Sequence, residues 1–134
     1  RPYLEGRLIF SRLTVRSNIS FLVDTGADRT VLMPLDGTRM GLDYGQLRET
    51  TESIGVGGIS EDFVEPVFIA FAEPRINLYV YAVEILVAVP SPEIMDIPSL
   101  LGRDVLDRWH MIYNRSKKRL TFRVLSADYT VSIP

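Results

Sequence analysis

The chain is 134 residues long, enough to bury one hydrophobic core and short for two, so residues 1–134 are expected to form a single domain. Its formal net charge of −2 supplies no global field for a nucleic-acid backbone or an anionic membrane, and neither is an expected partner. The lack of cysteine excludes a disulfide, a thiolate nucleophile and a zinc-thiolate site, and His110 as the one histidine excludes a histidine-rich metal cluster.

Strand signals dominate in chain order. Arg7 to Val15 and Ile19 to Val23 are apolar and β-branched, and Arg16-Ser17-Asn18 between them reads as a hairpin turn. Asp24-Thr25-Gly26 stands at the end of the second strand. Thr30 to Met33 is a further short strand, stopped by Pro34 and the Asp36-Gly37 turn signal, and Leu42 to Leu47 is a weak helix. Glu49 to Ile54 and Ile59 to Phe71 flank Gly55-Val56-Gly57-Gly58 as a hairpin with a glycine tip. Arg75 to Val89 forms one or two strands; Ile76 to Val89, interrupted by Asn77 and Glu84, is too short for a membrane span.

Pro90, Pro92 and Pro98 bracket a loop, since proline donates nothing to a ladder and biases its predecessor away from helix. Ser99 to Gly102 returns to the core, and Arg103 to Trp109 has the spacing of a short helix, with Val105, Leu106 and Trp109 on one face. His110 continues this apolar run with no Gly-x-Ser-x-Gly elbow in the chain, so it is read as structural rather than as a hydrolase base. Met111 to Tyr113 and Arg119 to Val124 flank a basic hairpin turn, read as a solvated tip in preference to an anion site. The sum is a mostly β chain with one short helix on the C-terminal side. No signal peptide is visible, and an opening on Arg1 instead of Met leaves processing open.

The stretch Phe21-Leu22-Val23-Asp24-Thr25-Gly26 drives a strand into a carboxylate, a hydroxyl and a glycine. Peptide hydrolysis without metal, cysteine or a Ser-His pair requires direct activation of water. Two carboxylates held together and sharing one proton supply the base and the acid at once. Glycine after Asp-Thr allows close backbone approach. Alone, the triplet is a short motif that also occurs by chance.

Three blocks in order sharpen the reading: Asp24-Thr25-Gly26-Ala27-Asp28, Ile54-Gly55-Val56-Gly57-Gly58-Ile59, and Leu100-Leu101-Gly102-Arg103-Asp104-Val105-Leu106. Together they resemble the retropepsins, single-domain aspartic proteases of retroviruses, retroelements and related cellular proteins. The resemblance implies a closed β-barrel-like half with a flap hairpin, and a homodimeric endopeptidase acting on polypeptide without a cofactor or metal. It makes Asp24 the catalytic acid, with Thr25 in the hydroxyl network between active-site loops and Gly26 presenting backbone. Ala27, Asp28 and Arg29 would line the cleft, and Gly55, Val56, Gly57 and Gly58 would contact substrate as the flap. Arg103 would support the site as a partner of Asp28, with Asp104 beside it.

The chain departs from that pattern in its length between Glu73 and Pro98, in Asp104 where many viral members have Asn, and in some twenty-five residues after Trp109. These features point toward a cellular or prokaryotic relative and leave the mode of dimerisation open. Asp-Thr-Gly occurs once and Asp-Ser-Gly not at all, so one chain holds half of an acid pair and a two-fold axis must generate the other half. Two alternatives stand beside this. The glycines serve equally as positive-φ hairpin residues, and the whole chain as a peptide-binding or dimerisation module without efficient chemistry. A dinucleotide loop fits poorly, lacking a third glycine in register and a following helix.

Overall fold

A computed structural model describes residues 2–55 and 58–133, with side chains outside 53–60. The first hairpin joins β1 (Tyr3–Phe10) to β2 (Val15–Val23), pairing Tyr3 with Leu22 and Phe10 with Val15. Alternation buries Gly6, Leu8 and Phe10 on one strand and Ile19 and Phe21 on the other. Burying a side chain such as Phe21 contributes about 1.5–3 kcal/mol, which is enough to hold the register.

The turn lies at residues 11–14, not at Arg16-Ser17-Asn18. Arg16 and Asn18 occupy the outward face of β2, where Asn18 Oδ1 accepts from Arg7 across the ladder at 3.0 Å. The polar residues mark the wet side of a strand, a pattern that resembles a turn when read along the sequence alone. The actual turn carries Thr14 at φ 57° and buries Leu13. Arg12 clamps it by donating twice to Glu65, at 2.9 and 2.8 Å, and once to the carbonyl of Gln46 at 2.8 Å. Glu65 is 2% exposed and Arg12 reaches it from the surface, its side chain 34% exposed, so a buried carboxylate is paired with a guanidinium still in contact with water.

After β3 (Val31–Leu32), Pro34 opens a helix instead of ending the chain's order: α1 runs Pro34–Arg39. The first helical position needs no N–H, and that suits proline. A 3-10 turn at Tyr44–Gln46 replaces the helix expected over 42–47, and β4 (Glu49–Gly55) pairs with β5 (Gly58–Glu73). The long apolar stretch is one strand, β6 (Asn77–Ala88), and the proline loop contains a 3-10 turn at Pro92–Ile94.

β7 (Leu100–Leu101) then leads into α2, which spans only Arg103–Leu106. Trp109 belongs to β8 (Trp109–Asn114), paired with β9 (Arg119–Val124) in a separate two-stranded sheet; His110 is exposed there. The indole is held by ring contacts with Phe71 and Phe122, at 5.0 and 5.2 Å between centroids, and by its N–H donating to Tyr81 Oη at 2.6 Å. Those tertiary contacts outweigh the helical spacing. A last strand absent from the sequence reading, β10 (Tyr129–Ser132), adds to β6.

Six strands close on themselves in the order β6-β3-β7-β2-β1-β5 and back to β6, making a barrel. Leu8, Phe10, Phe21, Leu32, Ile69, Tyr81, Ile85, Val87 and Leu101 fill it, all fully buried. β3 runs parallel to β6 and β2 parallel to β7, while β3 and β7 are antiparallel. The short strands β3 and β7 therefore bring the ends of two loops together at one end of the barrel. Among the described residues no helix is long and apolar enough to cross a membrane.

Candidate active site

Asp24 emerges from β2 where that strand is held on both sides. The Val23 N–H donates to the Pro2 carbonyl at 3.0 Å, and the Asp24 N–H donates to the Leu101 carbonyl at 3.0 Å. Immediately beyond, the loop folds back on the acid. The Gly26 N–H donates to Asp24 Oδ1 at 2.9 Å, and the Ala27 N–H donates to the Asp24 carbonyl at 3.2 Å. One carboxylate oxygen is thereby fixed by backbone, and the half-buried side chain opens beside exposed Thr25 and Gly26.

The loop is also tied to the β7-α2 corner. The Arg103 N–H donates to the Ala27 carbonyl at 2.8 Å, and the Asp104 N–H donates to the Asp28 carbonyl at 3.2 Å. Gly102 is required by this approach: a Cβ there would stand 2.5 Å from the carbonyl carbon of Arg29 and 2.6 Å from its oxygen. Thr30 completes the tie, accepting from the Gly102 N–H at 3.1 Å and donating its own hydroxyl to Asp104 Oδ1 at 2.8 Å.

Asp24, Thr25, Gly26, Ala27, Asp28, Arg29, Arg103 and Asp104 therefore share one corner of the fold. Within the single chain the hydroxyl linking its loops is that of Thr30; the Thr25 hydroxyl has no partner among the described residues. Asp28 pairs with Arg103, but both are open to water, the side chains 82% and 49% exposed. Gly55 pairs with Gly58 at the end of the β4-β5 hairpin, whereas Val56 and Gly57 lie outside the described residues.

Thr30 and Ser99 went unrecognised in the sequence. Both are fully buried, and Ser99 Oγ accepts from the Met33 N–H at 2.9 Å while donating to Asp36 at 2.6 Å. Their one local signal is a hydroxyl directly preceding an apolar pair, Val31-Leu32 and Leu100-Leu101. Among the described residues no cluster of three or more His, Asp or Glu stands together in a way that could hold a metal.

No family model and no curated protein matches the chain. Solved structures do. The EIAV protease in complex with the inhibitor HBY-793 superposes with a TM-score of 0.55 and 28% identity, covering 80% of this chain and 86% of that one. A retropepsin-like aspartic protease from Rickettsia conorii superposes with a TM-score of 0.55 and 22% identity, covering 91% of this chain and 88% of that one.

The chain has a retropepsin-like fold. The retropepsin-like barrel explains why residues so far apart in sequence converge on Asp24. Its parallel β2-β7 pairing sets Val23 beside Leu101, and the next residue on each strand enters the acid loop or the α2 corner.

Proposed function

We propose that this retropepsin-like chain is an aspartic endopeptidase, active as a homodimer in which Asp24 of each copy contributes one carboxylate. The observation that carries the reading is the fixed Asp24 loop, with Oδ1 held by the Gly26 N–H and the backbone held by Leu101. A reacting carboxylate benefits from such preorganisation because its orientation costs nothing further during reaction. Since the triplet occurs once, a second copy supplies the second acid.

In the proposed reaction one carboxylate takes a proton from water as the water oxygen bonds to the peptide carbonyl carbon. The other, protonated, donates to the carbonyl oxygen, and collapse of the adduct breaks the C–N bond as the nitrogen gains a proton. The substrate is an extended polypeptide. Ala27, Asp28 and Arg29 form the proposed floor, and the backbone of the β4-β5 hairpin at Gly55 and Gly58 forms the proposed cover.

Digestion of a mixed peptide library, followed by mass spectrometry from acidic to neutral pH, tests this alongside the oligomeric mass. Wild type should cleave as a dimer, and Asp24→Asn should lose cleavage while keeping fold and mass. Equal cleavage by the purified variant would remove Asp24 from the chemistry. A dimer that binds peptides and cleaves none would leave a binding module.

A further inference from the structure

A groove of about 1120 Å³ lies between the start of β1, the turn from β5 to β6, and the β8-β9 hairpin. Phe71, Trp109 and Phe122 give it apolar walls, while Lys117, Lys118, Arg119 and Arg123 give it cations. Glu73 is the one carboxylate among the described residues that line it, and it accepts from the Tyr79 hydroxyl at 3.0 Å. The charge is sharply localised. Residues 109–126 hold five Lys or Arg and no Asp or Glu, against ten and seventeen in the rest of the chain.

Two strand edges open on the same groove. Among the described residues β9 pairs only with β8, and all six of its residues line the groove in succession, so the strand meets it along an edge. β1 pairs with β5 only at Arg7, Leu8 and Ile9, and the segment before that pairing lines the groove through Pro2, Tyr3 and Leu4. Unpaired strand edges accept an added strand through main-chain hydrogen bonds.

We propose that this groove docks an acidic, aromatic-bearing polypeptide segment in extended form, added as a strand to the edge of β9. The cations select carboxylates, the aromatic walls take alternate apolar side chains, and the strand edge reads backbone. A nucleic acid satisfies the charges and leaves the edge unpaired. A second copy presenting its own β8-β9 hairpin would bring cations against cations. None of residues 24–29 lines the groove, and the proposal stands whether or not the chain cleaves peptides.

The test is fluorescence anisotropy of a labelled heptapeptide alternating Glu and Phe, beside a counterpart alternating Lys and Phe. The full chain carrying Asp24→Asn is used so that neither probe is hydrolysed. The Glu peptide should bind, weaken with added salt, and protect Arg119 to Val124 amides from hydrogen exchange; the Lys peptide should not bind. Arg119→Glu/Arg123→Glu, on the exposed side of β9, should weaken the Glu peptide by about tenfold or more and admit the Lys peptide. Lys117→Glu/Lys118→Glu at the hairpin tip should act in the same direction if the first variant fails to fold. Equal binding of both peptides, unchanged affinity in the folded variants, or protection confined to residues 24–30 would overturn the proposal. So would tighter binding of phosphatidylserine vesicles or duplex DNA than of the Glu peptide. A fall in oligomeric mass in the variants with unaltered peptide affinity would give the face to a second copy instead.

Discussion

Thr30 gives Asp104 both its hydroxyl and its backbone N–H, at 2.8 and 2.9 Å, across seventy-four residues of sequence. The Val105 N–H also donates to Asp104 Oδ1, at 3.0 Å. Three donors therefore converge on one side chain, and only a carboxylate offers acceptors at both ends. Asp104→Asn turns an amide N–H₂ toward a donor and should lower stability by about 1–3 kcal/mol in urea unfolding. Thr30→Val, which removes the acceptor of the Gly102 N–H, should cost a similar amount. An Asn variant as stable as wild type would mean that the carboxylate does not hold this corner.

Gly102 carries the closest backbone approach between the acid loop and α2. Alanine there places its Cβ within 2.6 Å of the Arg29 carbonyl group, too close without movement of main chain. Gly102→Ala should cost about 1–3 kcal/mol through overpacking. Because the moving segment includes the ties to Ala27 and Asp28, amide exchange should rise at Arg103 and Asp104. Protection unchanged at those two amides would show that the corner yields elsewhere.

The Arg103 and Asp28 pair has a smaller expected effect. A buried pair at this corner would strand a charge on mutation, at about 3–5 kcal/mol. The side chains are instead 49% and 82% exposed, and water screens them. Arg103→Ala should therefore change stability by no more than about 1 kcal/mol, with the backbone bond from Arg103 to Ala27 retained. A large loss of thermal stability would show that an assembly buries the pair.

Asp128 fastens the C-terminal segment to the barrel. Its carboxylate accepts from the Ala82 N–H at 2.8 Å and pairs with Arg108 at 2.9 Å, just before β10 joins β6. The Ala82 bond first, and the Arg108 contact after it, hold the Asp128 carboxyl below its ordinary 3.8. A depressed carboxylate stabilises the fold fully above about 3.8, and that contribution disappears as pH falls through the lower folded value. Asp128→Asn should accordingly lower Tm at neutral pH, with the gap to wild type closing under strong acid. A gap independent of pH would exclude the charge as the cause.

The strand pattern was readable because alternation is local: Leu8, Phe10, Ile19 and Phe21 declare their buried side within a few residues. The same locality misplaced the first turn, since Arg16 and Asn18 are as polar on an outer strand face as in a loop. Pro34 misled for a related reason, being equally at home as the end of a strand and as the first residue of a helix. Trp109 followed its tertiary partners Phe71, Tyr81 and Phe122 and not its spacing from Val105.

From the sequence alone came the Asp-Thr-Gly triplet, its single occurrence, the order of the three blocks and the concentration of positive charge after Trp109. These are properties of residue type and neighbourhood, present before any folding. Tertiary structure alone decided that Thr30 and Asp104 grip each other, that Gly102 must be glycine, that Arg103 stays wet, and that two open strand edges share a basic groove. Each of those depends on closure of the barrel, which brings distant segments within hydrogen-bonding or van der Waals range, and no periodicity along the chain encodes that distance.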